Sequence, residues 1–311
     1  MSAKNKPNEL YITRIYDAPV KLVWDAWTDP AKTAKWWGPR GFTITTHSKD
    51  LKVGGHWHYT MHGPDGVDYP NRTVYHEVVK YSRLVYDHGG YEDRPPLFRV
   101  TVDFIDLNGK TKMDMTMALE TPEAAKEIKK FIKQAGGNST WDRLAEYLSP
   151  NDAFVINRSF EAPITKVFEM WTDPKHISKW LPPVGFNMEY LKADVREGGA
   201  SVYSMSNNDG ITFFGKSIYT EIKKPNKIVY RQLFVDENGA ISRHPMAPVW
   251  PESMLVTVTF SEEENNSTRV TVTTEVDGPA TPEELAAISE AKAGMTFGWT
   301  GSFDKLEEYL K

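Results

Sequence analysis

"WTDPAKTAKWWGPRGF" spans Trp27–Phe42, and "WTDPKHISKWLPPVGF" spans Trp171–Phe186, 144 residues further on. The offset holds beyond this phrase. "LYITRIYDAP" (10–19) answers "FVINRSFEAP" (154–163), Gly54-Gly55 answers Gly198-Gly199, Asp65-Gly66 answers Asp209-Gly210, and "VYHEV" (74–78) answers "IYTEI" (218–222). Loop lengths as well as core positions therefore correspond. The second copy then gains a loop, the two realign at "TPE" (121–123 and 281–283), and they close alike on "WDRLAEYL" (141–148) and "FDKLEEYL" (303–310). A period this long is a duplicated domain, not a solenoid unit of about 20–50 residues. The boundary is expected at the turn-forming Ser149-Pro150-Asn151-Asp152, giving domains at 1–150 and 151–311.

Composition agrees with two soluble domains. A chain of 311 residues, 40% hydrophobic and 25% charged, can bury two cores of ordinary size. A net charge of −5 lacks the basic balance of a nucleic-acid binder, so no nucleic-acid partner is expected. The absence of cysteine excludes disulfides, thiolate metal sites and thiol nucleophiles. The polar start "MSAKNKPNEL" does not read as a signal peptide, and no stretch nears the ~20 apolar residues of a membrane span. A cytoplasmic location is expected.

Within each copy the elements are readable. Leu10–Tyr16 alternates as a strand. "DAPVKLVWDAWTDP" offers Asp17 as an N-cap and Pro19 in the first turn of a helix whose Val20, Val23, Trp24 and Trp27 share a face. Ala31–Trp36 adds a further helical turn or two. Alternating runs at 42–51, 56–61, 73–79, 84–87, 98–104 and 112–119 predict antiparallel strands. A long helix closes each copy: Leu285, Ile288, Met295, Trp299, Leu306 and Leu310 share one face in the second, while Gly136-Gly137 predicts a weak point in the first. The class is α+β, a curved antiparallel sheet around a long C-terminal helix, with two short helices after strand 1. A cleft between sheet and helix is the default ligand site.

The ordered set of "DAP" or "EAP", "WTDP", "KWWGP", "GF", "GG" and a closing "DKLEEYL"-type helix resembles the START-like (SRPBCC, helix-grip) superfamily. More narrowly it is similar to homologues of the activator of the heat shock protein 90 ATPase, in tandem. The resemblance implies an apolar cavity between sheet and helix, and a small hydrophobic ligand, lipid-like or polyketide- and flavonoid-like. It also implies two alternatives: a chaperone-associated module, and a polyketide cyclase-like or resistance-type enzyme. Where the co-chaperone carries a separate N-terminal domain with an Asn-Asn-Trp-His-Trp motif, this sequence has a second START-like copy.

Strand alternation selects the candidate cavity residues. Trp57, Tyr59 and Met61 share the face expected to look inward, and Trp37, Tyr75, Tyr86, Phe98 and Trp141 join them in the first copy. In the second copy the set is Ser201, Tyr203, Met205, Tyr219, Tyr230 and Met254, with Leu181, Trp299 and Phe303. Ser201 in place of Trp57 implies a roomier second cavity. Trp36 and Trp180, present in both copies, are read as packing the helix pair onto the sheet. His56, His58 and His62 line the opposite strand face, where Ala200, Val202 and Ser206 replace them, so they are read as a solvated face or inter-domain contact and no metal is expected. Glu77 and Glu221 read as solvent-facing, and Arg14 and Arg158 as salt-bridged to the sheet. The inserted loop at 235–253, with Met246, Pro248, Val249 and Trp250, reads as a cavity lid or, preferably, as packing on the first copy. No catalytic residue and no cofactor is assigned.

Overall fold

Alternating burial along each run draws the strands of the first half. In order they are β1 (Glu9–Tyr16), helices α1 (Val20–Thr28) and α2 (Pro30–Trp36), then β2 (Thr43–Lys49), β3 (His56–His62), β4 (Asp68–Val79), β5 (Arg83–Gly90), β6 (Phe98–Asp106) and β7 (Thr111–Ala118). The sheet runs β1-β7-β6-β5-β4-β3-β2, antiparallel throughout. Helices α3 (Pro122–Gln134) and α4 (Ser139–Leu148) close it, with α4 packed on α1, α2 and β1. The computed structural model describes residues 6–91, 94–134, 139–149, 152–243, 247–263 and 266–311, so Gly136-Gly137 and Met246 lie outside the described residues.

The second half repeats the plan with β8 (Phe154–Phe160), α5 (Ile164–Met170), α6 (Pro174–Trp180), β9 (Phe186–Lys192), β10 (Ala200–Asn207), β11 (Thr212–Lys223), β12 (Lys227–Val235), β13 (Ile241–Ser242), β14 (Ser253–Glu263), β15 (Ser267–Val276) and α7 (Pro282–Tyr309). Its sheet runs β8-β15-β14-β12-β11-β10-β9, with β13 paired to β12. Contacts between residues divide the chain into two units, 1–150 and 151–311. Each is an α+β helix-grip domain, a sheet closed over by its C-terminal helix.

The repeated phrase builds the same corner in both units. Asp29 caps α2 by accepting from Ala31 N at 2.9 Å, Asp173 caps α6 by accepting from Lys175 N at 2.8 Å, and the following proline occupies the first helical turn, where no N–H is missed. Trp36 and Trp180 are fully buried, and each indole donates to a carbonyl ten residues back: Ala26 O at 3.0 Å and Met170 O at 2.9 Å. The tryptophan thereby fixes the angle between the two short helices. A tight turn follows, with Phe42 N donating to Pro39 O and Phe186 N to Pro183 O; Gly41 (φ +86°) and Gly185 (φ +87°) supply the left-handed residue it requires.

The closing helix then takes hold of that corner. Arg143 of α4 donates to the carbonyls of Trp37, Gly38, Pro39, Phe42 and Lys35. At the equivalent place on α7, Lys305 donates to Pro182 O.

Several expectations change. Pro19, not Asp17, is the N-cap of α1, with no side-chain cap bond, and Asp17 instead pairs on the surface with Lys110. The rigid φ of proline starts the helix without a capping oxygen. Leu285 is exposed, whereas Ile288, Leu306 and Leu310 are buried. Arg158 pairs with Asp304 at 2.5 Å and Glu307 at 3.4 Å, so it ties β8 to the closing helix and not to the sheet. Within the inserted segment β13 pairs with β12, and Arg243 bonds both Trp250 O and Glu284 at the start of α7.

Candidate functional site

Register decides which side chains meet inside each sheet. In the second unit Ser201 lies opposite Ser217, which lies opposite Gln232, which lies opposite Met254. Tyr219 faces Tyr230 across the next row. Directly opposed residues of an antiparallel pair project from the same face, so these form two transverse rows under α7.

The two interiors differ in how they are filled. In the first unit Trp37, Trp57, Tyr59, Tyr75, Tyr86 and Trp141 are buried in a single cluster, with Met61 and Phe98 packed against it. Trp37 lies 5.2 Å from Trp57, Trp57 stacks on Tyr59 at 4.0 Å, and Trp141 stacks on Trp27 at 5.6 Å. The residues expected to line a cavity thus pack on one another.

In the second unit the apolar interior falls into two clusters. One gathers Tyr219 and Phe303 with half-buried Tyr230, Met295 and Trp299; the other gathers Tyr203 and Met205 with Tyr190 and Phe213; Leu181 touches both. Inward-facing Tyr190, Tyr230, Gln232, Phe234 and Trp299 keep accessible surface. Accessible surface on inward side chains, between two separate clusters, sets this interior apart from the filled one of the first unit. Ser201 itself is fully buried, with Oγ accepting from Asp194 N at 3.0 Å. Part of the volume given up at Ser201 returns at Tyr190, which stands where the first unit has Thr46.

Polar groups in this interior are neutral and connected. Gln232 Nε2 donates to Tyr203 Oη at 3.2 Å. Burial pushes the Tyr203 phenol up to about 12 and raises those of Tyr190, Tyr219 and Tyr230 as well. The nearby Ser201 hydroxyl partly offsets the rise at Tyr219. Neighbouring phenols add a smaller part to the rise at Tyr190, Tyr203 and Tyr230. Tyr203 lies flat because its neighbour across the ladder is Gly215, where a Cβ would sit 2.3 Å from the phenol ring. The first unit has Asn71 there, and its Tyr59 Oη is buried without a hydrogen-bond partner.

Two members of these rows escaped the sequence reading, His88 and its counterpart Gln232. Each stands two residues beyond a selected tyrosine on the same strand, so alternation alone would have found them. His88 stacks on Phe98 at 5.1 Å, and burial holds its imidazole down to about 4. Between the ordinary 6.5 and about 4 the unfolded chain binds a proton that the fold does not, so stability falls as pH falls through this window. The loss should total on the order of 3 kcal/mol. Denaturant titrations at pH 7 and pH 4 should show it, and His88→Gln should flatten that part of the profile.

Other candidates resolve into surface structure. His62 Nδ1 lies 2.6 Å from Asp68 Oδ1, His56 Nε2 lies 3.1 Å from Ser48 Oγ, and the His58 ring lies 4.8 Å from that of His47. No three His, Asp or Glu side chains among the described residues are placed to hold a metal ion. Glu221 pairs with Lys223 and Lys227, and Glu77 with Arg83, on the surface. A concavity of about 330 Å³ between α5 and the β11–β12 turn is lined by Thr165, Lys166, Phe168, Glu169, Thr172 and Lys224, none of them a selected residue. No helix among the described residues is long and apolar enough to cross a membrane.

An antiparallel sheet gripping its C-terminal helix, twice in one chain, defines a tandem START-like protein. The chain belongs to the family described as "Activator of Hsp90 ATPase homolog 1-like protein", which residues 17–149 and 161–311 match. Among solved structures it is similar to protein Ms6760 from Mycobacterium smegmatis, at 22% identity over 51% of this chain and 90% of that chain, with a TM-score of 0.44. It is similar to protein CV1439 from Chromobacterium violaceum, at 24% identity over 52% and 98% of the two chains, TM-score 0.40. The di-domain ARO/CYC BexL from the BE-7585A biosynthetic pathway is similar at 13% identity over 97% and 98%, TM-score 0.38. No curated protein matches.

Proposed function

We propose that this chain is a cytoplasmic binder of an uncharged hydrophobic small molecule, and that the ligand enters the second unit while the first is occupied by its own aromatic side chains. The observation that carries this is the accessible surface kept by inward-facing Tyr190, Tyr230, Gln232 and Trp299 between two separate apolar clusters. Contact with fixed aromatic walls favours a flat or elongated apolar ligand. Inward residues of β10, β11 and β12 include no carboxylate, imidazole or amine, which favours carriage over acid–base turnover.

Native mass spectrometry of the freshly purified chain, followed by titration with a flavone or a fatty-acid analogue, tests it. One equivalent should bind per chain. Ser201→Trp, which places in the second unit the side chain that fills the first, should weaken binding by about 10- to 100-fold, the usual scale of an overpacked site. Unchanged binding in that variant, or two equivalents per chain, would count against it.

A further inference from the structure

We propose that the second unit selects its ligand by a carbonyl-type oxygen, which Tyr203 receives as a hydrogen-bond donor. The inference deepens the binding function proposed above and rests on it. A phenol can both donate and accept, so which half of that capacity a ligand meets depends on what the protein has already taken. At Tyr203 the accepting half is taken: Gln232 Nε2 donates to Oη at 3.2 Å. An amide nitrogen has no lone pair to receive a proton, so the Tyr203 hydrogen must point to another partner.

Burial keeps the Tyr203 phenol neutral well above pH 7, so it offers an O–H donor and no counter-charge. A ligand oxygen with lone pairs and no proton, as in an aromatic ketone or a quinone, completes it. A pure hydrocarbon leaves a buried donor unmet, and leaving it unmet costs more than an average hydrogen bond gains.

The seat of Tyr203 is specific to this unit. Its ring crosses the ladder over Gly215, where any side chain would collide with it. In the first unit Asn71 stands at that position and Tyr59 stacks on Trp57 instead. Gly215 is therefore the positioning residue and Tyr203 the group that touches ligand.

The test uses the full chain with two probes of one shape, 9-fluorenone and fluorene, which differ by a single carbonyl oxygen. Fluorenone should bind at least about tenfold more tightly. Tyr203→Phe should remove most of that difference by weakening fluorenone alone. On the unaltered protein, the infrared carbonyl stretch of bound fluorenone should shift to lower frequency than in an apolar solvent. Equal affinities for the two probes, or an unshifted carbonyl band, overturn the donor role and leave hydrophobic binding standing. If neither probe binds, and Ser201→Trp makes no difference to flavone or fatty-acid binding, the binding function and the donor role fall together.

Discussion

Trp180→Ala should cost the second unit about 3–5 kcal/mol, the usual range for truncating a buried tryptophan. The side chain is fully buried, rests against Trp171 at 4.6 Å between ring centroids, and donates to Met170 O. Losing it opens a cavity at the join of α5 and α6 and leaves a buried helix-end carbonyl unpaired. Against a domain stability of about 5–15 kcal/mol, such a loss should bring unfolding close to ambient conditions. Trp180→Phe keeps most of the volume and loses the bond, so about 1–2 kcal/mol is expected. Trp36→Ala should do to the first unit what Trp180→Ala does to the second, with its bond to Ala26 O lost in the same way. Urea titrations followed by circular dichroism decide it. An alanine variant within 1 kcal/mol of the parent would mean that the corner is held by something other than its tryptophan.

How far the sequence carried can be judged residue by residue. The face bearing Trp57, Tyr59 and Met61 was legible because strand period is a steric property of the backbone, and the structure buries Trp57 and Tyr59 there. The repeat located the corner, since Asp and Pro at a helix start, buried Trp and left-handed Gly each answer a local backbone demand. Asp17 misled because proline can begin a helix by its fixed φ alone. Leu285 misled because periodicity reports a face without saying which of its residues meet a partner.

The site was less legible, and for a different reason. Whether an inward residue fills space or borders it depends on partners from other strands. Trp57 with Thr46 and Ser201 with Tyr190 redistribute bulk between neighbours, and no single-strand pattern records that exchange. Gly215 is a sharper case. In sequence it is one glycine among 21, and only the register that sets it opposite Tyr203 gives it a role.

Arg143→Met should destabilise the first unit by about 2–4 kcal/mol, more than a lone surface cation would. Its guanidinium collects carbonyls around the tight turn after α2, the closest being Gly38 O at 2.8 Å and Pro39 O at 2.9 Å, the latter also accepting from Phe42 N. Buried backbone carbonyls need such partners, and one side chain supplies them here. Burial lowers the pKa of this guanidinium, yet arginine stays charged at any pH at which proteins fold, so its donors are always present. Arg143→Lys should recover only part of the loss, because one ammonium cannot span carbonyls as widely spaced as those of Lys35 and Phe42. The second unit carries the comparison within the same chain: Lys305 meets Pro182 O there, so Lys305→Met should cost about 1 kcal/mol. If Arg143→Met proves no more harmful than Lys305→Met, the turn holds itself and the grip of the closing helix on it is incidental.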